Sequence, residues 1–432
     1  MKKRISLMSA IAFLSLIFIQ VIAINASERK GWDIVKADGC LHDGYHYQAT
    51  APNDFEAGNQ EFWACCTCHE VFLIEPLTGN FATRTLSQAI GFGAEHVAYL
   101  APTMSVWDGT TAAFVHGNGT SAEPYLIESA ANLAFLRDKV NVQDANYVSA
   151  YYRMETGVDL NDIEWVSIAN TGATAFRGNF DGAGHHVIGL KVTSGANLNG
   201  LFGHLVDAYV ANLDVTGDIT ASAARNGIVA GCVDYSTLEN CVSRGTITAA
   251  GAYCGGICGV VEALDVHTRN NTQALLKNCI NYASVTGNAA SNSFVGGITG
   301  QNTIKVLIEN CENYGHVQGA ARQTAGIIGL ARAVIGTLIK GCYNFANIDA
   351  TGKPRQTGGI VGTCRVRVEN CYGFVDAKIN DVPYNVANLY PTSFGTTVPG
   401  GVICGQLDAQ NVCNADTAFI NCGGCDANKN PV

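Results

Sequence analysis

From residue 200 onward the chain repeats one two-part unit, and such a repeat constrains the fold more than any local propensity. A Gly-rich strand signal comes first: GLFG at 200, GGICG at 255, GGITG at 296, AGIIG at 325 and GGIVG at 358. A strand ending in Asn-Cys follows, in TLENCVSRGTI, LLKNCINYASV, LIENCENYGHV, LIKGCYNFANI and VENCYGFVDA, with FINC as a frayed last copy. The residue three before each Cys is apolar (Leu238, Leu276, Ile308, Ile339, Val368, Phe419), and the Cys recurs as Cys241, Cys279, Cys311, Cys342, Cys371 and Cys422. Both columns are expected to point inward. Between them stand Asn240, Asn278, Asn310, Asn370 and Asn421, with Gly341 in the remaining copy. Asn and Gly are the residues that tolerate the left-handed backbone region, so this column marks a bend. Three residues after Cys lies an aromatic column (Tyr282, Tyr314, Phe345, Phe374) and six after it an aliphatic one (Ile247, Val285, Val317, Ile348).

The position two before Cys reads Glu239, Lys277, Glu309, Lys340, Glu369, alternating in sign. If successive repeats are successive coils about 4.8 Å apart, opposite charges stack, each pair contributing roughly 0.2 to 1 kcal/mol. Unrelated strands of a globular fold have no reason to produce such a column; a parallel solenoid does. Residues from 151 to the C-terminus are therefore read as a parallel β-helix. Inserted stretches break the period at DVHTRNNTQ (265–273), LDAQNVCNAD (407–416) and NDVPYNVANLYPTSFGTTVPG (380–400). Loops of this kind commonly carry function. An exposed solenoid end needs covering. EPYLIESAANLAFLRDKVN supplies a helix with Ala130, Leu133, Leu136 and Val140 on one face and Ser129 as N-cap, expected to cap it.

The N-terminus carries Lys2, Lys3 and Arg4 before an apolar run from Ile5 towards Ala23, the pattern of a secretory signal peptide over residues 1–26. No second run of that kind follows, so no membrane span is expected after its removal, and the mature protein is placed outside the cytoplasm, secreted or on the cell surface. The formal charge of −10 over 432 residues leaves no basic field for nucleic acid.

GLFG and GGIxG followed by ENCxNYGxV resemble the GLUG-repeat proteins, exported bacterial proteins of adhesin-like type that also flank some IgA-cleaving metallopeptidases. WDGTTAAFVHGNGTSAEPYLIESAANLAFL, FRGNFDGAGHHVIGLKV and GLFGHL match the lead-in of that family, and the resemblance runs from about residue 105 to 425. It implies a right-handed parallel β-helix serving adhesion or display. No HExxH occurs, so the zinc-protease activity does not carry over.

Upstream, residues from about 38 to 75 hold Cys40-x-His42 and Cys65-x-x-Cys68, the ligand types of a tetrahedral zinc site. A module this short needs a staple. Structural zinc on Cys40, His42, Cys65 and Cys68 is the expected one, with His46 able to replace an early ligand and a disulfide among Cys40, Cys65, Cys66 and Cys68 as the alternative. The pattern also resembles a short CxH and CxxC module of clostridial-type surface proteins. The expected organisation is a signal peptide (1–26), a Cys/His module resembling a zinc ribbon with linker (27–104), lead-in and capping helix (105–150) and GLUG-type β-helix (151–432).

The six-Cys ladder is read as buried thiols, since inward Cys behaves as a small hydrophobe. Asp181 and His185 in FDGAGHH are read as turn residues, and Arg365 and Arg367 as a solvated face. The expected function is binding of a glycan or of a matrix or surface protein, with Tyr384, Tyr390 and Phe394 of the long insertion as contacts. Two other classes fit the fold: a polysaccharide lyase or glycoside hydrolase using outward acids such as Asp234 and Asp265, and a structural spacer or coat protein.

Overall fold

The structure is a computed structural model. It describes residues 104–431 except 194, 265–266, 289–292, 321–322, 351–355, 375, 384–401 and 408–418, and upstream only Asp54 and short strand segments between 44 and 100. The chain divides into two compact units, Met1–Pro102 and Thr103–Val432. In the first, Gly44–Tyr47 pairs antiparallel with Phe62–Cys65 and parallel with Phe81–Arg84, and Val71–Phe72 completes a four-stranded sheet.

The second unit is a parallel β-solenoid. Phe202–Val206, Ala230–Asp234, Cys258–Val261, Thr299–Asn302, Ile328–Ala331, Val361–Cys364 and Cys404–Leu407 stack in sequence order as one sheet. The Asn-Cys strands stack as another, and their register is the one read from the repeat. Leu238 pairs with Leu276, then Ile308, Ile339, Val368 and Phe419 follow in turn. The aliphatic column runs Ile247, Val285, Val317, Ile348 and continues to Ile379. Both columns are buried, as are Cys241, Cys279, Cys311, Cys342 and Cys371, whereas Cys422 is half-buried.

The bend residues adopt the left-handed conformation, with φ of 54° at Asn240, 53° at Asn278, 54° at Asn310, 50° at Asn370 and 51° at Asn421. Gly341 substitutes in the same geometry at 65°. Asn212, at 54°, extends the column one coil upstream. Its side chain starts a ladder of amides, Asn240 Nδ2 donating to Asn212 Oδ1 (2.9 Å) and Asn278 Nδ2 to Asn240 Oδ1 (3.1 Å).

A second asparagine ladder lies inside the coil, two residues after Cys. Ser243 Oγ donates to Asn281 Oδ1, Asn281 Nδ2 to Asn313 Oδ1 and Asn313 Nδ2 to Asn344 Oδ1, each at 2.7 Å and fully buried. Each of these Asn amides also donates to the carbonyl two residues on, at Ala283, Gly315 and Ala346. The glycine at the second position of the GGICG, GGITG and AGIIG units makes the room. A Cβ on Gly256, Gly297 or Gly326 would sit 2.0, 2.3 or 2.2 Å from the Asn281, Asn313 or Asn344 amide.

Parallel pairing begins upstream of residue 151. Met104–Val106 pairs with Gly157–Asp159, and Tyr125–Ile127 with Tyr151–Met154. The lead-in is thus already part of the stack. Ser129 N-caps the helix Ala130–Asn141, its Oγ accepting from Asn132 N. Ala130, Leu133, Leu136 and Val140 are buried and belong to the same apolar core as Ile127, Tyr152 and Trp165.

Candidate functional site

The outer wall of the Asn-Cys strands carries the aromatic column as a stack. Ring centroids lie 5.0 Å apart for Tyr282 and Tyr314, 4.7 Å for Tyr314 and Phe345, and 5.9 Å for Phe345 and Phe374. Tyr282 and Tyr314 are 43% and 37% exposed, which makes the column part of the surface. Arg244 holds the equivalent position one coil earlier. Its guanidinium sits 4.6 Å over the Tyr282 ring while pairing with Asp214 at 3.0 Å. A second column, Tyr343 and Tyr372 (5.5 Å), runs beside the first, one residue after Cys. Tyr314 Oη donates to Glu312 Oε2 at 2.8 Å, and burial together with that carboxylate pushes the phenol well above its ordinary range. The sequence signal for the second column was present in the repeat alignment, but only two copies carry it.

The alternating charges meet as the register requires. Lys277 Nζ lies 2.8 Å from Glu239 Oε1, and Lys340 Nζ 3.8 Å from Glu309 Oε1. The Lys277 hydrogen bond lowers the Glu239 pKa and, reciprocally, raises that of Lys277.

A denser charged cluster lies under the inserted segment that follows Leu264. Asp234, at the end of strand Ala230–Asp234, accepts Arg269 Nε at 2.6 Å, Arg269 Nη2 at 2.8 Å and Leu264 N at 3.1 Å. Buried His204 places Nε2 3.5 Å from Asp234 Oδ2 and Nδ1 3.1 Å from Thr174 O. Burial pushes the Asp234 carboxyl up; His204 and Arg269 outweigh it and hold it below the ordinary value. Asp207 accepts the backbone N–H groups of Asn270 (2.7 Å) and Asn271 (2.8 Å) and faces Arg177 at 3.5 Å. The His267 ring stands 5.3 Å from that of His204. Two aspartates of neighbouring coils therefore clamp one insertion.

This corrects the reading of Asp234 as an outward acid. It is fully buried and its oxygens are occupied by donors, so it is not placed to attack a substrate or to exchange a proton with one. Asp265 lies outside the described residues. Among the described residues no group of three or more His, Cys, Asp or Glu is arranged to hold a metal ion.

Asp181 Oδ1 accepts Ala183 N and Asn212 Nδ2, both at 2.9 Å, the work of a turn residue. Arg367 points outward and pairs with Glu369 of its own strand, whereas Arg365 is half-buried rather than solvated. Of the expected zinc ligands, Cys40, His42 and Cys68 lie outside the described residues, and Cys65 is described only as the last backbone position of strand Phe62–Cys65. Tyr384, Tyr390 and Phe394 lie outside them as well.

These features define a mainly β protein of the parallel solenoid class. Its relatives are of surface type. Over 173 residues it is 32% identical to halomucin of Haloquadratum walsbyi, covering 38% of this chain and 2% of halomucin. Over 148 residues it is 28% identical to a protein described as a Gly-rich membrane protein in Evansella cellulosilytica, covering 32% of this chain and 16% of that protein. The chain thus spans a small part of either relative. Its fold is similar to the crystal structure of a protein assigned as an immunoglobulin A1 protease from Bacteroides ovatus, with a TM-score of 0.54 and 23% identity, covering 68% of this chain and 86% of that one. No protein-family model matches the chain. Among the described residues, no helix is long and apolar enough to cross a membrane.

Proposed function

We propose that this is an exported surface or secreted protein of the GLUG-repeat type, adhesin-like, whose solenoid side and inserted loops bind a glycan or an extracellular protein. The observation that carries the reading is the exposed aromatic stack of Tyr282 and Tyr314 on the outer wall, because aromatic side chains held at a surface are the common anchors of recognition. The surface-type relatives support the same reading. In this reading the coil is right-handed, and the helix Ala130–Asn141 plugs its N-terminal end against edge-to-edge association. The upstream module carries a structural zinc on Cys40, His42, Cys65 and Cys68, and Tyr384, Tyr390 and Phe394 add contacts from the long insertion.

The test exposes the purified mature protein to immobilised polysaccharides and matrix proteins, recording both retention and new chain ends. Retention without cleavage is the expected result. New reducing or unsaturated ends would instead make it a polysaccharide-cleaving enzyme. Elemental analysis of the same sample is expected to find about one zinc per chain, and a metal-free folded protein would remove the zinc assignment.

A further inference from the structure

The column of Tyr343 and Tyr372 runs out at the last coil. Gly423 pairs directly with Tyr372 in the parallel ladder and brings no side chain to follow it. A Cβ on Gly423 would lie 3.9 Å from Tyr372 Cδ1 and Cε1, so an atom standing there rests on the ring at van der Waals contact. Tyr343 stacks against one face of Tyr372, 5.5 Å away and inclined by 24°. On the Gly423 side lies an open recess of about 440 Å³, lined by Tyr372, Gly423, Gly424, Cys422 and the bend residues Asn370 and Asn421, with Pro431 of the returning chain, which bridges to Cys425, as a further lining residue. Those two asparagines are held at the left-handed corners of successive coils, with φ of 50° and 51°, and Asn370 N donates to Ile420 O at 2.8 Å. Their placement is therefore set by the backbone.

We propose that this recess binds one pyranose residue of a glycan, stacked by a C–H face on Tyr372 and hydrogen-bonded through its hydroxyls to the Asn370 and Asn421 amides. The proposal rests on the surface-binding reading above and names the ligand class for one place on the solenoid. The chemistry of the walls selects the sugar. A pyranose offers an apolar C–H face surrounded by hydroxyls, and each primary amide of the lining can both donate to and accept from a hydroxyl. A bare aromatic ring would stack equally well but gain nothing from either amide, whereas the hydroxyls of a pyranose can bond to both. Among the described residues no charged side chain lines the recess, so the described lining does not select a phosphate or an ammonium group. The ligand ring takes the place that a further tyrosine would hold in the stack.

Saturation-transfer NMR on the full mature chain tests this, with the methyl pyranosides of glucose, galactose, mannose and N-acetylglucosamine as probes. At least one is expected to receive transfer strongest at the protons of a single ring face, with binding roughly tenfold weaker in Tyr372→Ala. Gly423→Phe is the second variant, since it adds the missing ring where the backbone has space for a Cβ. It is expected to abolish transfer while leaving the thermal midpoint unchanged or higher. Transfer undiminished in Gly423→Phe overturns the site, as does transfer to none of the four sugars. Transfer to phenol or indole but to no pyranoside overturns the ligand class. Polysaccharide retention that survives Gly423→Phe would place glycan binding elsewhere, sinking this site and leaving the surface-binding reading intact. Retention of neither polysaccharide nor matrix protein would sink that reading too.

Discussion

Asn313 accepts from one coil, donates to the next and donates again to Gly315 O, all without contact with water. Asn313→Ala would leave Asn281 Nδ2 only its bond to Ala283 O and Asn344 Oδ1 only the long one from Ala346 N, so each loses its coil-to-coil partner in the core, where an unmatched polar group costs about 1 to 3 kcal/mol. Urea unfolding is expected to show a loss of that size, and an unchanged midpoint would mean that water or a neighbour replaces the amide. Gly297→Ala attacks the same place from the opposite wall, since its Cβ would fall 2.2 Å from Gly326 O and 2.3 Å from the Asn313 amide. Overpacking of this kind typically costs about 1 to 3 kcal/mol. The two asparagine columns differed in legibility. The bend column was readable because Gly341 replaces Asn there, and only a left-handed backbone favours both residues. The inner ladder was not, because an inward Asn looks like an error of patterning until its partner, one whole coil away, is known.

At the scale of a single element, the insertion following Leu264 behaves as a strap fastened by Asp207 and Asp234. Its departure from the repeat period was evident in DVHTRNNTQ. Its anchorage was not, because Asp207, Asp234 and Arg269 belong to different parts of the sequence and only coil stacking joins them. Burial lowers the His267 pKa from its ordinary 6.5, and His204 and Arg177 lower it further, partly offset by the Gly172 carbonyl and Asp234. The folded state therefore prefers neutral imidazole, and the unfolded chain takes up the proton first on acidification. The stabilising contribution is complete above pH 6.5 and is lost as pH falls from there through the folded value. Hydrogen-exchange protection of the Leu264, Asn270 and Asn271 amides is expected to drop between about pH 7 and about pH 5. His267→Gln should flatten that profile, and a wild-type profile already flat would remove the histidine from the account.

For the whole molecule, the stacked thiols bear on how a chain with 17 cysteines keeps its fold. Cys311 Sγ lies 3.4 Å from Leu276 O and 3.5 Å from Glu309 O, and its neighbours in the ladder repeat the arrangement. The five ladder thiols are kept from reagent by their complete burial, and burial also pushes the thiols of Cys254 and Cys258, which stand outside the ladder, up to about 12. A thiol reagent is expected to leave Cys241, Cys279, Cys311, Cys342 and Cys371 unmodified in the native protein and to label all five in denaturant without reductant. Ladder cysteines that stay blocked after unfolding would reveal disulfides instead. The solenoid itself was legible because every column recurs at coil spacing. The recess beside Tyr372 was not, because it is made by what Gly423 lacks, and a missing side chain acquires meaning only next to the ring it uncovers.

The alternating column of Glu239, Lys277, Glu309, Lys340 and Glu369 gives the coil stack a parity. Excising the coil that carries Lys277 would set Glu239 upon Glu309, like charge on like, while every apolar column still matched. Excising two successive coils would set Glu239 upon Lys340 and restore attraction. Chains shortened by even numbers of coils should therefore outlast their odd-numbered counterparts on heating, with the gap closing in high salt. The unit by which this molecule can lengthen or shorten smoothly is a pair of coils rather than one.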